Sequence, residues 1–305
     1  MIDFTPCKIN RFIGYGGANG SKINISYKNA SYMLKFPAIA TKNKMMNYAN
    51  SSISEHISCN IFNSIGIKAQ ETILGTYGYG DKQRVVVACK DFTTKENLMD
   101  FAQLKNTYID SIGGGYGTEL SSIIETIENQ KIISPEKIKN FFWEMFIVDA
   151  LIGNFDRHNG NWGLLINEEK QTSNFAPIYD CGSCLYPQIT IEEMNKVLND
   201  IKEINQRIFV YPTSAIMDKN KKISYFDYIS SIKNKDCNRA LKNIFPKINL
   251  KEINEIIEEV SILKPIQKDF YQNMIKERYN KILEFSFQKL LKLESEKEDE
   301  WDLEI

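Results

Sequence analysis

The chain lacks any apolar run that approaches the length of a membrane span, and its first residues, MIDFTPCKIN, contain no apolar signal core. It also lacks an excess of either charge, because 38 lysines and arginines face 39 aspartates and glutamates. This balance gives no electrostatic footprint for nucleic acid and no obvious basic face for anionic lipid. We therefore expect no nucleic-acid partner and no membrane span. A cytoplasmic location is the default expectation, with secretion or delivery into host cells without a cleaved signal as the alternative.

Histidine is scarce and the cysteines are scattered, which disfavours a zinc centre or a disulfide framework. The chain has two histidines, His56 and His158, and six cysteines, at positions 7, 59, 89, 181, 184 and 237. Cys181-Gly-Ser-Cys184 is a CxxC motif, but no second CxxC and no thioredoxin-like pattern accompany it. We do not expect redox or zinc chemistry there.

The pattern along the chain changes from strands to helices. KINRFI, KINISY and SYMLKF read as strands, and ETILGTY and RVVVACKDF as a hairpin. Isoleucines at positions 53, 57, 61 and 65 predict a helix over 51–64, which Gly66 ends. We expect an α+β fold with a β-rich N-lobe over residues 1–92 and a helical C-lobe over residues 93–305.

The second part should contain a buried helix, a short hairpin and then more helices. Ser134-Pro135 predicts a helix start with a capping hydroxyl, and the apolar run FFWEMFIVDALIG carries that helix to about Gly153. WGLLI and FAPIY read as two strands around the turn NEEKQ. The segment DSIGGGYGTE reads as a loop, and the clearest late helix lies near Tyr271 to Leu293.

Three oxygen-bearing side chains flank the predicted hairpin. Asp156 and Asn161 precede it in NFDRHNGNWGLL, and Asp180 follows it in IYDCGS. A hairpin brings its two ends together, so these side chains can converge. Phosphoryl transfer needs such a set, with one carboxylate to orient the attacking hydroxyl and a carboxylate and an amide oxygen to hold Mg²⁺. We assign Asp156 as the base, and Asn161 and Asp180 as the metal ligands.

Each of these features also has a plain structural interpretation. Asp156 and Asn161 are common residues in the turn between a helix and a strand, and Asp180 suits a turn before Cys-Gly-Ser. The same holds for two residues of the first part of the chain. Lys35 in SYMLKF can be a solvated strand residue, and Glu55 in the helix over 51–64 can be an exposed helix residue. The functional interpretation depends on their joint occurrence in this order.

The order of these motifs resembles that of kinases. An aspartate, a gap of four residues and an asparagine form the protein-kinase catalytic-loop pattern, and Asp180-Cys-Gly stands where those enzymes carry a metal-binding Asp-x-Gly. The string DRHNGN resembles two groups, the HipA-like bacterial serine/threonine kinases and the phosphoinositide 3/4-kinase-like enzymes. LKFP at Lys35, the glycine loop just upstream, SEH at Glu55 and IYD at Asp180 favour the HipA-like family over residues 8–190. Within that family the chain is similar to the short, secreted, cell-translocating type.

The resemblance implies a two-lobed protein-kinase-like fold and assigns roles to particular residues. Lys35 would contact the ATP phosphates, and Glu55 would form the ion pair that aims it. The loop GYGGANGSK would cradle the phosphates with backbone N–H groups. Its implied nucleotide-binding residues are Gly16, Gly17, Ala18, Asn19, Gly20 and Ser21. Residues 88–91, ACKD, would connect the lobes, and their backbone groups, Cys89 and Lys90 among them, would meet the adenine edge.

The catalytic loop would comprise Asp156, His158 and Asn161. No Cys/His cluster surrounds His158, so a hydrogen bond that holds the loop is favoured over metal ligation. Arg157 would pair with a loop carbonyl or a phosphate.

The expected activity is ATP- and Mg²⁺-dependent phosphorylation of serine or threonine in a protein substrate. A lipid kinase and an ATP-binding pseudokinase that acts through partners are the alternatives. Family members also phosphorylate themselves in the glycine loop, where Ser21 is the matching hydroxyl and Tyr15 is nearby. An antitoxin partner is doubtful, because only about a dozen residues precede the loop here, whereas longer HipA-type proteins carry an extra N-terminal portion.

Overall fold

A six-stranded sheet forms the first part of the protein. The computed structural model describes residues 1–15, 21–38, 48–108 and 114–303, with side chains to residue 296. The strand order is β1-β5-β6-β4-β3-β2, and every pair is antiparallel except β1 with β5. The strands are β1 (Ile2–Asp3), β2 (Lys8–Asn10), β3 (Lys22–Tyr27), β4 (Ala30–Lys35), β5 (Thr72–Tyr77) and β6 (Arg84–Lys90).

One helix, α1 (Ser51–Ser64), follows β4 and has the predicted bounds. Its stripe Ile53, Ile57, Ile61 and Ile65 is buried, as four-residue spacing requires. The stripe belongs to the core of the helical part, where α1 packs against α9 (Leu250–Glu258), and α1 also contacts β5 and β6 of the sheet. A separate small core lies within the sheet and consists of Phe4, Ile25, Tyr32, Leu34, Val86 and Ala88.

The rest of the chain is mainly helical. Its elements are β7 (Asn97–Asp100), α2 (Phe101–Tyr108), α3 (Leu120–Asn129), α4 (Pro135–Ile152), β8 (Gly163–Asn167), β9 (Thr172–Phe175), α5 (Ile191–Leu198), α6 (Ile201–Asn205), β10 (Met217–Asp218), β11 (Lys221–Lys222), α7 (Tyr225–Ser230), α8 (Lys235–Ile244), α9, α10 (Pro265–Arg278) and α11 (Phe285–Leu303). Across the described ranges, no helix combines the length and the apolarity needed to traverse a bilayer. The predicted α+β, two-lobed architecture is confirmed.

Four local predictions differ from the structure. Residues 97–100 form a strand that pairs with β8, although the part of the chain from residue 93 was expected to be helical. The second strand of the hairpin is Thr172–Phe175 and not FAPIY, and KINRFI is a strand only over Lys8–Asn10. Ser134 is the N-cap residue of α4, but its side chain makes no capping hydrogen bond. The division at residue 92 stays a prediction.

Candidate active site

A cleft of about 780 Å³ lies between the sheet and the helical part. It gathers polar side chains that are distant in sequence, because β4, α1, the loop after α4 and the loop after β9 all reach it. Six residues predicted for the site line this cleft, and they are Lys35, Glu55, Asp156, His158, Asn161 and Asp180. The structure therefore brings together the predicted phosphate lysine, its glutamate, the base and both metal ligands.

Lys35 stands at the end of β4 with its amino group between two carboxylates. Strand alternation turns Tyr32 and Leu34 into the sheet core and Lys35 into the cleft, as predicted. Lys35 Nζ lies 3.1 Å from Glu55 Oε1 and 3.0 Å from Asp180 Oδ1. This three-residue contact fixes the lysine at the place where phosphates would enter.

The charged groups in this contact shift one another's pKa values. Burial alone lowers the pKa of Lys35, but the carboxylates of Asp180 and Glu55 raise it well above its usual value. The lysine in turn lowers the pKa of Asp180 to about 2, whereas burial raises the pKa of Glu55. At neutral pH, Lys35 is a cation and Asp180 an anion ready for a metal ion.

Helix α4 ends by turning directly into the catalytic loop. Gly153 closes the helix in the left-handed region, with φ of +65°. Asn154 Oδ1 then accepts a hydrogen bond from the backbone N–H of Asp156 at 3.0 Å, and Asn161 Nδ2 donates to the Asp156 carbonyl at 2.8 Å. These bonds hold Asp156 and Asn161 on one tight turn and leave Asn161 Oδ1 as the group for a cation.

Asp156 is partly removed from water. Burial raises its pKa, His158 opposes the shift, and the neighbouring Asp180 carboxylate adds to it. Ser183 Oγ lies 3.5 Å from Asp156 Oδ2. A raised pKa strengthens a carboxylate as a proton acceptor, which suits the role predicted for this residue.

Arg157 ties the catalytic loop to the segment before Asp180. The guanidinium is buried and donates from Nε to Asp149 Oδ2 at 3.0 Å. Its Nη1 donates to the carbonyls of Asn161 at 2.8 Å and Tyr179 at 2.6 Å. The predicted partner, a loop carbonyl, is therefore present, and Asp149 was missed. An acidic residue inside the apolar run FFWEMFIVDALIG was the available signal, because a buried carboxylate requires a partner.

His158 makes the predicted hydrogen bond within the loop. Its Nδ1 accepts the backbone N–H of Gly160 at 3.0 Å. The ring also meets Tyr116 edge-on, with centroids 6.1 Å apart.

The CxxC cysteines lie beside this network as free thiols. Cys181 and Cys184 are buried and not joined by a disulfide. Arg157 Nη2 lies 3.2 Å from Cys181 Sγ, and hydrogen bonds from Cys184 and Cys59 lower the pKa of Cys181 well below its usual value. Within the described part of the chain, no group of three or more His, Cys, Asp or Glu side chains is arranged to hold a metal.

The structure describes only the two ends of the glycine loop, up to Tyr15 and from Ser21. Gly16, Gly17, Ala18, Asn19 and Gly20 lie outside the described residues. Ser21 is exposed, and its carbonyl accepts the backbone N–H of Phe36 at 3.0 Å. Tyr15 and Lys22, at the two ends of the loop, line the cleft and were not predicted as nucleotide-binding residues.

Cys89 and Lys90 are not brought to the cleft surface. The backbone N–H of Lys90 donates to the Glu71 carbonyl at 2.9 Å. The Lys90 carbonyl accepts a hydrogen bond from Gln70 Nε2 at 3.0 Å. Cys89 is buried and pairs with its neighbours in the sheet. The residues that line the cleft here are Asp91, Phe92 and Thr93. Of the predicted stretch 88–91, Asp91 lines the cleft, and the contact with the adenine edge stays a prediction.

Comparison with known proteins places the chain in a family. The family model of the HipA-like C-terminal domain matches residues 13–264. The chain belongs to this family. It is 47% identical over 294 residues to the serine/threonine-protein kinase CtkA of Helicobacter pylori, a match that spans 96% of this chain and 89% of CtkA.

The fold comparison agrees with the sequence comparison. A crystal structure described as that of a Helicobacter pylori proinflammatory kinase CtkA superposes with a TM-score of 0.89 at 46% identity, covering 96% of this chain and 99% of that one. A chain of the Shewanella oneidensis toxin–antitoxin complex of HipA, HipB and operator DNA has a TM-score of 0.52 at 13% identity, covering 90% of this chain and 68% of that one. The second likeness concerns the fold alone. The predicted HipA-like family membership is confirmed.

Proposed function

We propose that this chain is a serine/threonine protein kinase that transfers the γ-phosphoryl group of Mg²⁺-bound ATP to hydroxyl groups of a protein. The observation that carries the proposal is the contact of Lys35 with both Glu55 and Asp180 at the mouth of the loop that holds Asp156 and Asn161. The 47% identity to a named serine/threonine-protein kinase supports it independently.

Each group has one task in the transfer. Lys35 holds the phosphates of the nucleotide, and Glu55 keeps the lysine aimed at them. Asp156 orients the attacking hydroxyl and accepts its proton at a carboxylate oxygen. Arg157 binds the carbonyls of Asn161 and Tyr179 with one nitrogen and so holds the two loops together, with Asp156 and Asp180 facing the same cleft.

The donor set near Asp180 fits magnesium. Asn161 Oδ1 and the Asp180 carboxylate are hard oxygen donors, and Asp180 is ionised at neutral pH. Mg²⁺ is commonly held by one or two carboxylates together with substrate phosphates and water, so few protein ligands suffice. When bound, the ion supplies charge neutralisation to the phosphoryl group.

Two aspartate variants test this assignment. Asp156→Ala should bind an ATP analogue with Mg²⁺ like the parent protein, yet lose transfer by at least about 10²-fold, because only the proton acceptor is removed. Asp180→Ala should lose transfer and also weaken Mg²⁺-dependent nucleotide binding. Calorimetric titration and labelled ATP with a generic protein substrate measure the two effects.

Asp81→Ala, in the β5–β6 turn away from the cleft, is the control for both variants. Transfer by Asp156→Ala at the parent rate would remove the assigned base. Parallel incubation with phosphoinositide vesicles separates a protein kinase from a lipid kinase. Nucleotide binding without transfer to either acceptor would favour the pseudokinase alternative.

The proposal includes autophosphorylation at Ser21. Ser21 is exposed and precedes Lys22, which lines the cleft, and a phosphate there would bring about two negative charges towards those of ATP. Mass spectrometry after incubation with Mg²⁺ and ATP should find phosphate between Arg11 and Lys22. Its absence, while a protein substrate is phosphorylated, would contradict this part alone.

A further inference from the structure

We propose that the ring of Tyr116 forms one wall of the acceptor subsite, where it packs against the substrate segment that flanks the serine or threonine. The inference rests on the proposed kinase function and adds a residue that determines how the acceptor binds. Tyr116 is 61% exposed, although it lines the same cleft as Asp156. A large aromatic side chain that is both exposed and beside the chemistry is a candidate contact for a partner.

The ring lies directly against the catalytic loop. It meets His158 edge-on, two residues after Asp156. A Cβ at Gly160 would stand only 2.9 Å from Tyr116 Cε1, so the loop approaches the ring at a position that has no side chain. The ring therefore extends the surface of the catalytic loop outward from Asp156.

Buried polar groups hold the turn that carries Tyr116. Asn159, the loop residue between His158 and Gly160, donates from Nδ2 to the carbonyls of Gly115 at 2.7 Å and Gly117 at 2.9 Å. Lys105 Nζ donates to the Gly117 carbonyl at 2.6 Å. Asn159 and Lys105 are each only 1% exposed. Both carbonyls beside Tyr116 are thus anchored from within the protein.

The anchoring gives a rigid support to an exposed ring. Gly115 fits only because it lacks a side chain, since a Cβ there would stand 1.8 Å from the Ala102 carbonyl oxygen. Burial of a lysine carries a desolvation cost, and the pKa of Lys105 is accordingly lowered by burial. A pre-positioned aromatic ring loses little conformational entropy when a partner packs on it.

The position of the ring favours the acceptor over the nucleotide. Lys35 and Asp180 mark the phosphate end of the cleft, and Asp91, Phe92 and Thr93 line it at the junction of the two parts. Tyr116 instead contacts the residues that follow Asp156, which orients the acceptor hydroxyl. An aromatic face suits the apolar and backbone surface of an extended peptide segment and offers no charge to a triphosphate.

Steady-state kinetics of the full chain with dephosphorylated casein test the inference. Tyr116→Ala should raise the KM for casein about tenfold, the loss typical of an aromatic contact at a recognition site. The dissociation constant of an ATP analogue should stay at the parent value. Tyr116→Phe should behave like the parent, because the ring and not the hydroxyl makes the contact.

Tyr79→Ala is the matched control, since Tyr79 is 76% exposed and lies in the β5–β6 turn. An unchanged KM for casein in Tyr116→Ala would overturn the inference, whether or not the binding of the ATP analogue is weakened. That result would leave the kinase function standing. Absence of any transfer by the parent protein would instead remove the proposed function, and this inference with it.

Discussion

At the level of single residues, the contact of Lys35 with two carboxylates sets the protonation states in the cleft. Asp180 is held ionised by the lysine, whereas Asp156 is made more basic by burial. Two aspartates in one cleft therefore have pKa values that are shifted in opposite directions. Their different surroundings match the different tasks proposed for them, metal binding and proton acceptance.

The opposite shifts predict the pH dependence of transfer. Asp156 must be ionised to accept a proton, so kcat/KM should fall on acidification with a midpoint above 3.8, the ordinary aspartate value. Asp180, with its pKa of about 2, should add no second step in this range. A profile of kcat/KM between about pH 3 and about pH 8 measures this acidic limb, with circular dichroism to verify that the protein stays folded. A midpoint below the ordinary aspartate value would contradict the raised pKa.

The ion pair of Lys35 and Glu55 predicts a second residue-scale result. Glu55→Gln keeps the shape of the buried side chain but removes its charge, so Lys35 is held by Asp180 alone. We expect kcat/KM for ATP to fall about tenfold, equivalent to about 1.4 kcal/mol of transition-state stabilisation. Kinetics with varied ATP measure the change.

The control is Glu71→Gln. It removes the charge of Glu71, whose Oε2 lies 2.7 Å from Lys90 Nζ in an exposed ion pair. Such surface pairs contribute about 0–1 kcal/mol, and this one lies outside the cleft. Equal losses in the two variants would show that the buried pair has no special role.

At the level of elements, a buried ion pair joins α4 to both loops of the site. Asp149 lies on α4, Arg157 lies on the catalytic loop, and Tyr179 lies between β9 and Asp180. The two loops come from opposite ends of the β8–β9 hairpin. Their relative position is set by one guanidinium and not by the hairpin alone.

Breaking this pair should cost stability and activity together. Arg157→Met leaves the Asp149 carboxylate buried without its partner, which costs about 3–5 kcal/mol in the free energy of unfolding. In the double variant Asp149→Leu/Arg157→Met, stability should largely return, but transfer should not, because the bonds to Asn161 and Tyr179 are still missing. Urea unfolding and kinase kinetics measure the two properties.

Lys251→Met is the comparison for this pair, since its exposed partner Glu255 lies 3.8 Å away and little stability should be lost. Full recovery of transfer in the double variant would show that Arg157 acts through stability alone.

At the level of the whole molecule, α1 joins the two parts. Sequence order puts it between strands of the sheet, but its isoleucine stripe belongs to the helical core and packs on α9. The backbone that follows α1 also pairs with Ile178, two residues before Asp180. Glu55 is therefore positioned by a helix that contacts α9 as well as strands β5 and β6, while Lys35 is positioned by strand β4.

This arrangement predicts which segments unfold together. Amides of Ile57 to Ile61 should exchange with the same opening free energy as those of α9, and more slowly than those of the β2–β3 edge of the sheet. Hydrogen exchange at increasing denaturant concentration measures these free energies. Opening of α1 together with β2 and β3 would contradict the assignment of α1 to the helical core.

Sequence alone was sufficient where the governing interactions are local. The bounds of β3 and α1 follow from alternation and from four-residue spacing, and the outward turn of Lys35 follows from its place in β4. The order of Lys35, Glu55, Asp156, Asn161 and Asp180 identified the family and predicted residues that line one cleft. These features depend on residues a few positions apart, or on the order of short motifs along the chain.

Tertiary structure decided what depends on partners distant in the chain. Residues 97–100 became a strand because β8 offers an edge. Strand β6 runs through Lys90, so that Asp91 is the residue of the stretch 88–91 that lines the cleft. The partnership of Asp149 with Arg157, and the placement of Tyr116 beside His158, arise from packing between separate elements. A sequence specifies the groups that need partners, but only the folded chain brings the two members of each pair within contact distance.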